Sequence, residues 1–242
     1  MDVLAAVADM LPPKALVRIA SIQYRYFEPE LRHLSEFVPR DKDAVDVGAW
    51  WGPWSFWLSR AAQRVFTFEP NRAVFDGLSV AMPSNVILHN LALSDHEAES
   101  TLWAPPTGKR GEGRASLIPR PGWVQQTVRT VTLDSFALDN VGFVKIDVEG
   151  HELEVLRGAA ELIEAQRPNI LIEVEHGDVD GVFAWFAERA YEGTFYEKGW
   201  RPLAEWDRDR AERMSRQQPG MLRATFLSKE HYINNFLFRS RS

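Results

Sequence analysis

The chain has no cysteine among its 242 residues, so neither disulfides nor thiolate metal sites contribute to it. That absence is compatible with a reducing compartment. It also lacks any apolar run near the roughly 20 residues that span a bilayer. The segment Met1 to Met10 has no basic stretch and carries Asp2 and Asp9, which argues against a secretory signal. The expectation is a cytoplasmic protein with no membrane insertion. Positive charge is not in excess either. The net charge of −6 argues against a general nucleic-acid binder, which would show a basic face. Several signatures are missing as well: no HExxH, no cysteine pair, no G-x-S-x-G and no Gly-Lys-Ser/Thr. Metalloprotease, zinc-deaminase, nucleophile-elbow and P-loop chemistry are therefore not indicated.

What is present suits one domain with a substantial core: 45% hydrophobic and 26% charged residues. Residues 14–38 place Leu16, Ile19, Ala20, Tyr24, Phe27, Leu31, Leu34 and Phe37 at helical spacing, divided by Pro29. Residues 1–40 thus read as a helical preface to a main domain over 41–242. Strands at 44–47, 65–69 and 86–89 alternate with helices at 53–62 and 71–81. Further strands at 143–148 and 169–175 flank a helix at about 151–165, and a helix at 179–190 follows. This alternation predicts an α/β fold with a mostly parallel sheet and helices on both faces. Segments 195–203 and 232–238 are strand-like and suit a terminal antiparallel pair. The stretch 105–122, rich in glycine, proline and cations (Lys109, Arg110, Arg114), is long enough for a lid over a site.

The most informative stretch is Val45-Asp46-Val47-Gly48-Ala49-Trp50-Trp51-Gly52, with Ser55 just beyond. A strand carrying Asp46 breaks into Gly48, and Gly52 follows four residues later. That is neither the dinucleotide G-x-G-x-x-G nor a P-loop. Glycine permits a sharp turn and a close approach of ligand to backbone. A second strand ends on Glu69, followed by Pro70, 17 residues past Gly52. An acid at that place can accept hydrogen bonds from a ribose diol. A glycine turn plus a ribose acid, without a phosphate cradle, fits a nucleoside ligand such as S-adenosylmethionine. Asp46, Gly48, Trp50, Gly52, Ser55 and Glu69 are then candidate cofactor contacts, with Asn90 and Ala92 bordering the adenine. Trp54 and Trp57 suit packing at helical spacing, whereas Trp50 or Trp51 suits stacking on a ring.

Ligands of parallel α/β sheets bind at the carboxyl ends of strands. Asp46, Glu69, Asp147, Glu173 and Glu175 all fall at such ends, and Glu149 and His151 follow in the turn after Asp147. Adjacent strands lie about 4.8 Å apart, so neighbouring Asp147 and Glu173 must share a cation, a proton or a basic partner. Magnesium at Asp147, Glu173 and Glu175 is one solution, since it prefers oxygen ligands. Lys145 is the alternative, either as a buried ion-pair partner or as a general base if desolvation lowers its pKa. His151 and His176 stand near strand ends and are further catalytic candidates.

The order of these motifs resembles a known family. Val45-Asp46-Val47-Gly48-Ala49, Phe68-Glu69-Pro70, Thr132-Leu133-Asp134, Lys145-Ile146-Asp147-Val148-Glu149-Gly150-His151-Glu152, Val155-Leu156-Arg157-Gly158-Ala159 and Ile170-Leu171-Ile172-Glu173 together resemble the FkbM family of S-adenosylmethionine-dependent O-methyltransferases. The likeness covers about residues 43–176, and the Lys-Ile-Asp-Val-Glu-Gly block is its most specific part. It implies a Rossmann-like class I fold with a seven-stranded sheet ordered 3-2-1-4-5-7-6, and methylation of hydroxyls on sugars or other natural products. One departure is Trp50, where the family usually carries Asn. The chain is also similar to mycobacterial enzymes acting on methylmannose polysaccharides. The expected acceptor is a sugar or oligosaccharide hydroxyl. N-methylation of a small amine and a non-catalytic nucleoside-binding domain are the rival readings, and a homo-oligomer is left open.

Overall fold

The computed structural model describes residues 11–105, 115–174, 178–207 and 234–241. In chain order its strands are β1 (Asp43–Val47), β2 (Val65–Phe68), β3 (Val86–His89), β4 (Ala92–Leu93), β5 (Ala98–Ala104) and β6 (Val124–Val131). Then come β7 (Val141–Ile146), β8 (Asn169–Glu173), β9 (Tyr191–Tyr196), β10 (Trp200–Pro202) and β11 (Asn235–Ser240). The helices are α1 (Pro13–Phe27), α2 (Pro53–Leu58), α3 (Arg72–Ser79), α4 (Glu152–Arg157), α5 (Ala160–Gln166) and α6 (Val179–Glu188).

The main sheet runs β10-β9-β11-β8-β7-β1-β2-β3. Strands β3, β2, β1, β7 and β8 pair in parallel, β11 is antiparallel to β8 and β9, and β10 is antiparallel to β9. Seven of these strands follow the expected order, and a terminal antiparallel pair is present as β9 with β11, but the segment 195–203 expected as one strand is the end of β9, a turn and β10. The expectation of seven strands is corrected to eight. Lys198 (φ 59°) and Gly199 (φ 154°) turn the chain back on β9, so that Trp200–Pro202 adds an edge strand. A separate small sheet, β4-β6-β5, was not foreseen as a sheet.

The strands alternate their faces with period two. Val45, Val47, Val144, Ile146, Ile170 and Ile172 point to one side, where Val155, Leu156, Ile163, Val182 and Phe186 of α4 to α6 cover them. Ala44, Val65, Phe143, Leu171 and Leu237 point to the other. There Leu31, Leu34 and Phe37 of the preface pack with Trp54 and Leu58 of α2. The preface is helical only to Phe27. Pro29 begins two short 3-10 turns, Pro29–Arg32 and Leu34–Glu36. The single helix expected over 151–165 is divided between α4 and α5. At the break, a side chain on Gly158 would lie 2.0 Å from the Ser94 carbonyl oxygen, so only glycine lets that backbone approach. The Asp134 carboxylate then caps α5 from outside, accepting from the N–H groups of Glu161 and Leu162 (3.1 and 2.9 Å).

Candidate active site

The turn after β1 is tight for a specific reason. Gly48 has φ 81°, and a Cβ there would sit 1.8 Å from the carbonyl oxygen of Asp147. The Gly48 N–H donates to the Phe68 carbonyl (3.0 Å) and the Asp147 N–H to the Val47 carbonyl (3.0 Å), so β1, β2 and β7 are tied together at this one position. Gly52, at φ 70°, opens α2, and Met82 packs where its side chain would be. Trp50 lies between them in the left-handed region (φ 47°), a costly conformation for a bulky residue and one found at functional turns. Its indole nitrogen is buried without a hydrogen-bond partner, and its ring lies 5.2 Å from that of Tyr24. Trp51 is instead buried against Gly77, and Trp54 sits in the core.

Glu69 follows β2. One of its oxygens accepts from the Trp50 N–H and the other from the Asn71 N–H, each at 2.8 Å. Burial pushes the carboxyl up to about 7 against these two bonds. Each oxygen keeps a lone pair for a further donor. Asn90 donates to the carbonyls of Glu69 and Pro70 (both 2.9 Å) and so pins the turn that presents Glu69. The Ala92 side chain lies in the core of the small sheet with Leu102 and Val128, so only its backbone faces away from that core. Ser55 is fully buried. Its hydroxyl donates to Asp46 at 2.5 Å and sits 2.8 Å from Thr67 Oγ1, so it acts on Asp46. Burial pushes Asp46 up to about 6, against the hydrogen bond from Ser55.

The strand registers align Val47 with Phe68 and Ile146, and Ile146 with Ile172. Glu173 pairs with Asn235. One step further on, Glu69, Gly48, Asp147 and Glu173 therefore form a row along the carboxyl edge. Below this row lies Lys145, with no exposure at all. Its Nζ is 3.8 Å from both Asp147 Oδ2 and Glu173 Oε2, and it donates at 3.3 Å to Asn235 Oδ1 and to the Ile146 carbonyl. Burial opposes its charge, but Asp147, Glu173, Glu28 and Asp46 together raise its pKa above the ordinary lysine value. Of the two roles the sequence left open, Lys145 occupies that of buried ion-pair partner, and it is a cation at neutral pH. Burial and the neighbouring Asp147 raise Glu173 well above the usual carboxylate range, and Asn234 donates to it.

This answers the electrostatic question that suggested magnesium. Asp147 and Glu173 share an ammonium, and among the described residues no group of three or more acidic or histidine side chains is placed to hold a metal. Glu175 and His176 lie outside the described residues, as do Lys109, Arg110 and Arg114 of the expected lid. The foot of that loop is described. Ser116 bridges Trp103 in both directions and donates from its hydroxyl to the Glu149 carbonyl (2.8 Å), which ties this foot to the turn after β7.

That turn carries strain. Glu149 (φ 54°) and Gly150 (φ 102°) are both left-handed, and Glu152, 2% exposed, accepts from the Gly150 N–H at 2.8 Å. His151 follows, with Nε2 2.9 Å from Ser94 Oγ and Nδ1 3.6 Å from Glu154. Burial lowers its pKa, so the imidazole is neutral at pH 7.

Sequence reasoning missed the acids of the preface. Glu28, at the end of α1, accepts from the Trp54 indole at 2.5 Å, and burial pushes it up to about 7 while Lys145 opposes. Glu30 is pushed up to about 8 by burial and by Glu28, and its Oε2 has no partner. The signal available was Glu28-Pro29-Glu30, two acids astride the proline of an otherwise apolar segment.

Fold and site together define a Rossmann-like α/β protein with a cluster of acids at the carboxyl edge of its parallel strands. The Methyltransferase FkbM domain matches residues 46–192, and the chain belongs to this family. It is 32% identical over 157 residues to the hexuronic acid methyltransferase AglP of Haloferax volcanii, a match covering 62% of each chain. The chain thus spans under two thirds of that relative's length. Among solved structures it is similar to the methyltransferase FkbM from Methylobacillus flagellatus (TM-score 0.53, 16% identity, 82% of this chain and 43% of that one). It is also similar to a putative rRNA methylase from Clostridium thermocellum (TM-score 0.50, 9% identity, 88% and 94%). At these identities the two structures speak to the fold alone.

Proposed function

We propose that the chain is an S-adenosylmethionine-dependent O-methyltransferase acting on a sugar hydroxyl. The observation that carries the cofactor reading is Glu69, a buried carboxylate fixed by two backbone N–H groups beside the Gly48 turn. The residues fit the cofactor. Glu69 has free lone pairs for a ribose diol, the Gly48 turn brings Glu69 and the Asp147 turn together at one edge, and the buried Trp50 indole N–H awaits an acceptor. When bound, S-adenosylmethionine supplies an electrophilic methyl group.

The remaining work falls to the chain's own residues. Methyl transfer is an in-line displacement, so holding the acceptor oxygen in place contributes much of the rate. Asp147 is the least buried carboxylate of the Lys145 cluster, with a third of its side chain exposed, and we assign it to receive the hydroxyl proton. Lys145 favours the ionised form of the carboxyls about it, against the burial that raises them, and so holds Asp147 and Glu173 side by side. His151 is held by Ser94 and positions the turn that carries Glu149 and Gly150.

The sugar reading is supported by the family and by the name of the 32% identical relative. On this edge Asp147 and Glu173 already engage the Lys145 ammonium, so that cation is not free to pair with an acceptor carboxylate. This favours a neutral sugar hydroxyl over a uronate, whose carboxylate would be repelled. Magnesium at Asp147 and Glu173 does not fit a pair already compensated by Lys145.

The test is methyl transfer from labelled cofactor to a panel of neutral oligosaccharides, uronic-acid oligosaccharides and small amines. Labelling of a neutral sugar is expected, and labelling of amines alone overturns the reading. Turnover should survive exhaustive chelation. If it is lost and returns with added magnesium, the metal is restored to the acid pair.

A further inference from the structure

Helix α1 buries Leu16, Val17 and Ala20 against the domain, yet leaves Ile19, Ile22 and Tyr26 41%, 59% and 67% exposed. These positions are three and four residues apart and fall on one side of the helix. Lys14, Arg18 and Arg25 run along the neighbouring edge, and the helix contains no acid. Two further cations join them. The Arg25 guanidinium lies 4.3 Å from the centre of the Trp57 ring and that of Arg60 lies 5.5 Å from the same ring. Arg32 donates to the Arg25 carbonyl at 2.7 Å. Among the described residues none of these five cations forms an ion pair, although acids outnumber bases in the chain as a whole, 34 to 28.

We propose that this face of α1 docks the protein on an anionic lipid surface. Exposed aliphatic side chains and a tyrosine bordered by arginine and lysine are the composition of a helix that lies in a membrane interface, apolar side toward the acyl boundary and cations among the headgroups. Such a helix rests on the surface and does not span it. Charge complementarity selects this partner over a second copy of the chain. An antiparallel pairing of two α1 helices through Ile19, Ile22 and Tyr26 would set the two cation rows along the same edge. A soluble polyanion would engage the cations and leave the isoleucines in water.

Co-sedimentation of the full chain with two kinds of vesicle tests this. One is phosphatidylcholine alone, the other phosphatidylcholine mixed with phosphatidylglycerol. Binding to the mixed vesicles only, weakened by salt, is expected. Arg18→Gln should weaken it roughly fivefold, and Ile22→Ser should weaken it without changing binding to polyphosphate. Both positions are exposed, so folding and turnover of a soluble acceptor should be unchanged. The proposal is overturned by absent binding to both vesicles, by equal binding to both, or by an Ile22→Ser variant that binds the mixed vesicles as well as the parent. It is also overturned if the parent is a dimer in solution that Ile22→Asp converts to a monomer, which would make the face a self-interface.

Discussion

At the β2 end of the sheet Glu69 is held by two backbone N–H groups, whereas at the β7 and β8 ends Asp147 and Glu173 are held by the ammonium of Lys145. The first arrangement depends on chain direction alone. The turn of Trp50 and the step to Asn71 aim two peptide donors at one carboxylate, whatever side chains they carry. The second depends on a charged side chain with no access to water. Backbone donors orient an acid without cancelling its charge, which suits a group meant to accept further hydrogen bonds. A buried ammonium cancels charge, which suits a cluster of acids that must coexist in a small volume.

The largest expected effect breaks the second arrangement. Lys145→Met removes the cation and leaves several buried acids uncompensated, so stability should fall by about 3–5 kcal/mol in denaturant titration, with turnover lost. A fall well under 1 kcal/mol would mean that the acids are held neutral by shared protons and that Lys145 is dispensable.

Glu69→Ala breaks the first arrangement. Charge-assisted hydrogen bonds are worth about 1.5–3 kcal/mol, so cofactor affinity measured by calorimetry should drop roughly ten- to a hundredfold in a folded variant. Unchanged affinity would remove Glu69 from the cofactor site.

A pH series sharpens the contrast. The carboxyls of Glu69, Glu28 and Glu30 are raised by burial to about 7, 7 and 8, above the ordinary value of 4.5. An acid with a raised folded pKa binds more protons folded than unfolded between those two values, so stability falls as pH rises through that window. Cofactor affinity should move the opposite way and rise as Glu69 ionises near pH 7. Glu30→Gln, which removes an unpartnered buried carboxylate, should leave the thermal midpoint near that of the parent at pH 4.5 and raise it progressively toward pH 8. A constant difference across that range would show that Glu30 does not titrate there.

The smallest effect concerns the turn between the halves. Ser94→Ala removes the hydrogen bond to His151 at a cost of about 1 kcal/mol, and the imidazole pKa followed by NMR should rise toward its ordinary value as the site loosens. An unchanged titration curve would make the Ser94 contact incidental.

Much of this was legible before any coordinates. The short apolar runs at 44–47, 65–69 and 143–148, separated by helix-length segments, predict a parallel sheet, and chain direction then places Asp46, Glu69 and Asp147 toward one edge. Gly48 was readable as a turn glycine, but the close approach expected of a ligand is made by the Asp147 carbonyl, a long-range contact that the local sequence does not show. Helix limits were less readable. The division between α4 and α5 depends on Ser94, which is 64 residues before Gly158 and invisible to local periodicity.

The sequence by itself determined the fold class, the strand-end acids and the family, because these follow from local patterns and from chain direction. Only the tertiary structure decided how the acids are compensated. Whether Asp147 and Glu173 share a metal or an ammonium depends on Lys145 pointing to the same face of the sheet, under the preface. That the preface itself brings Glu28 and Glu30 to this cluster is a long-range contact, set by how Leu31, Leu34 and Phe37 pack on the sheet.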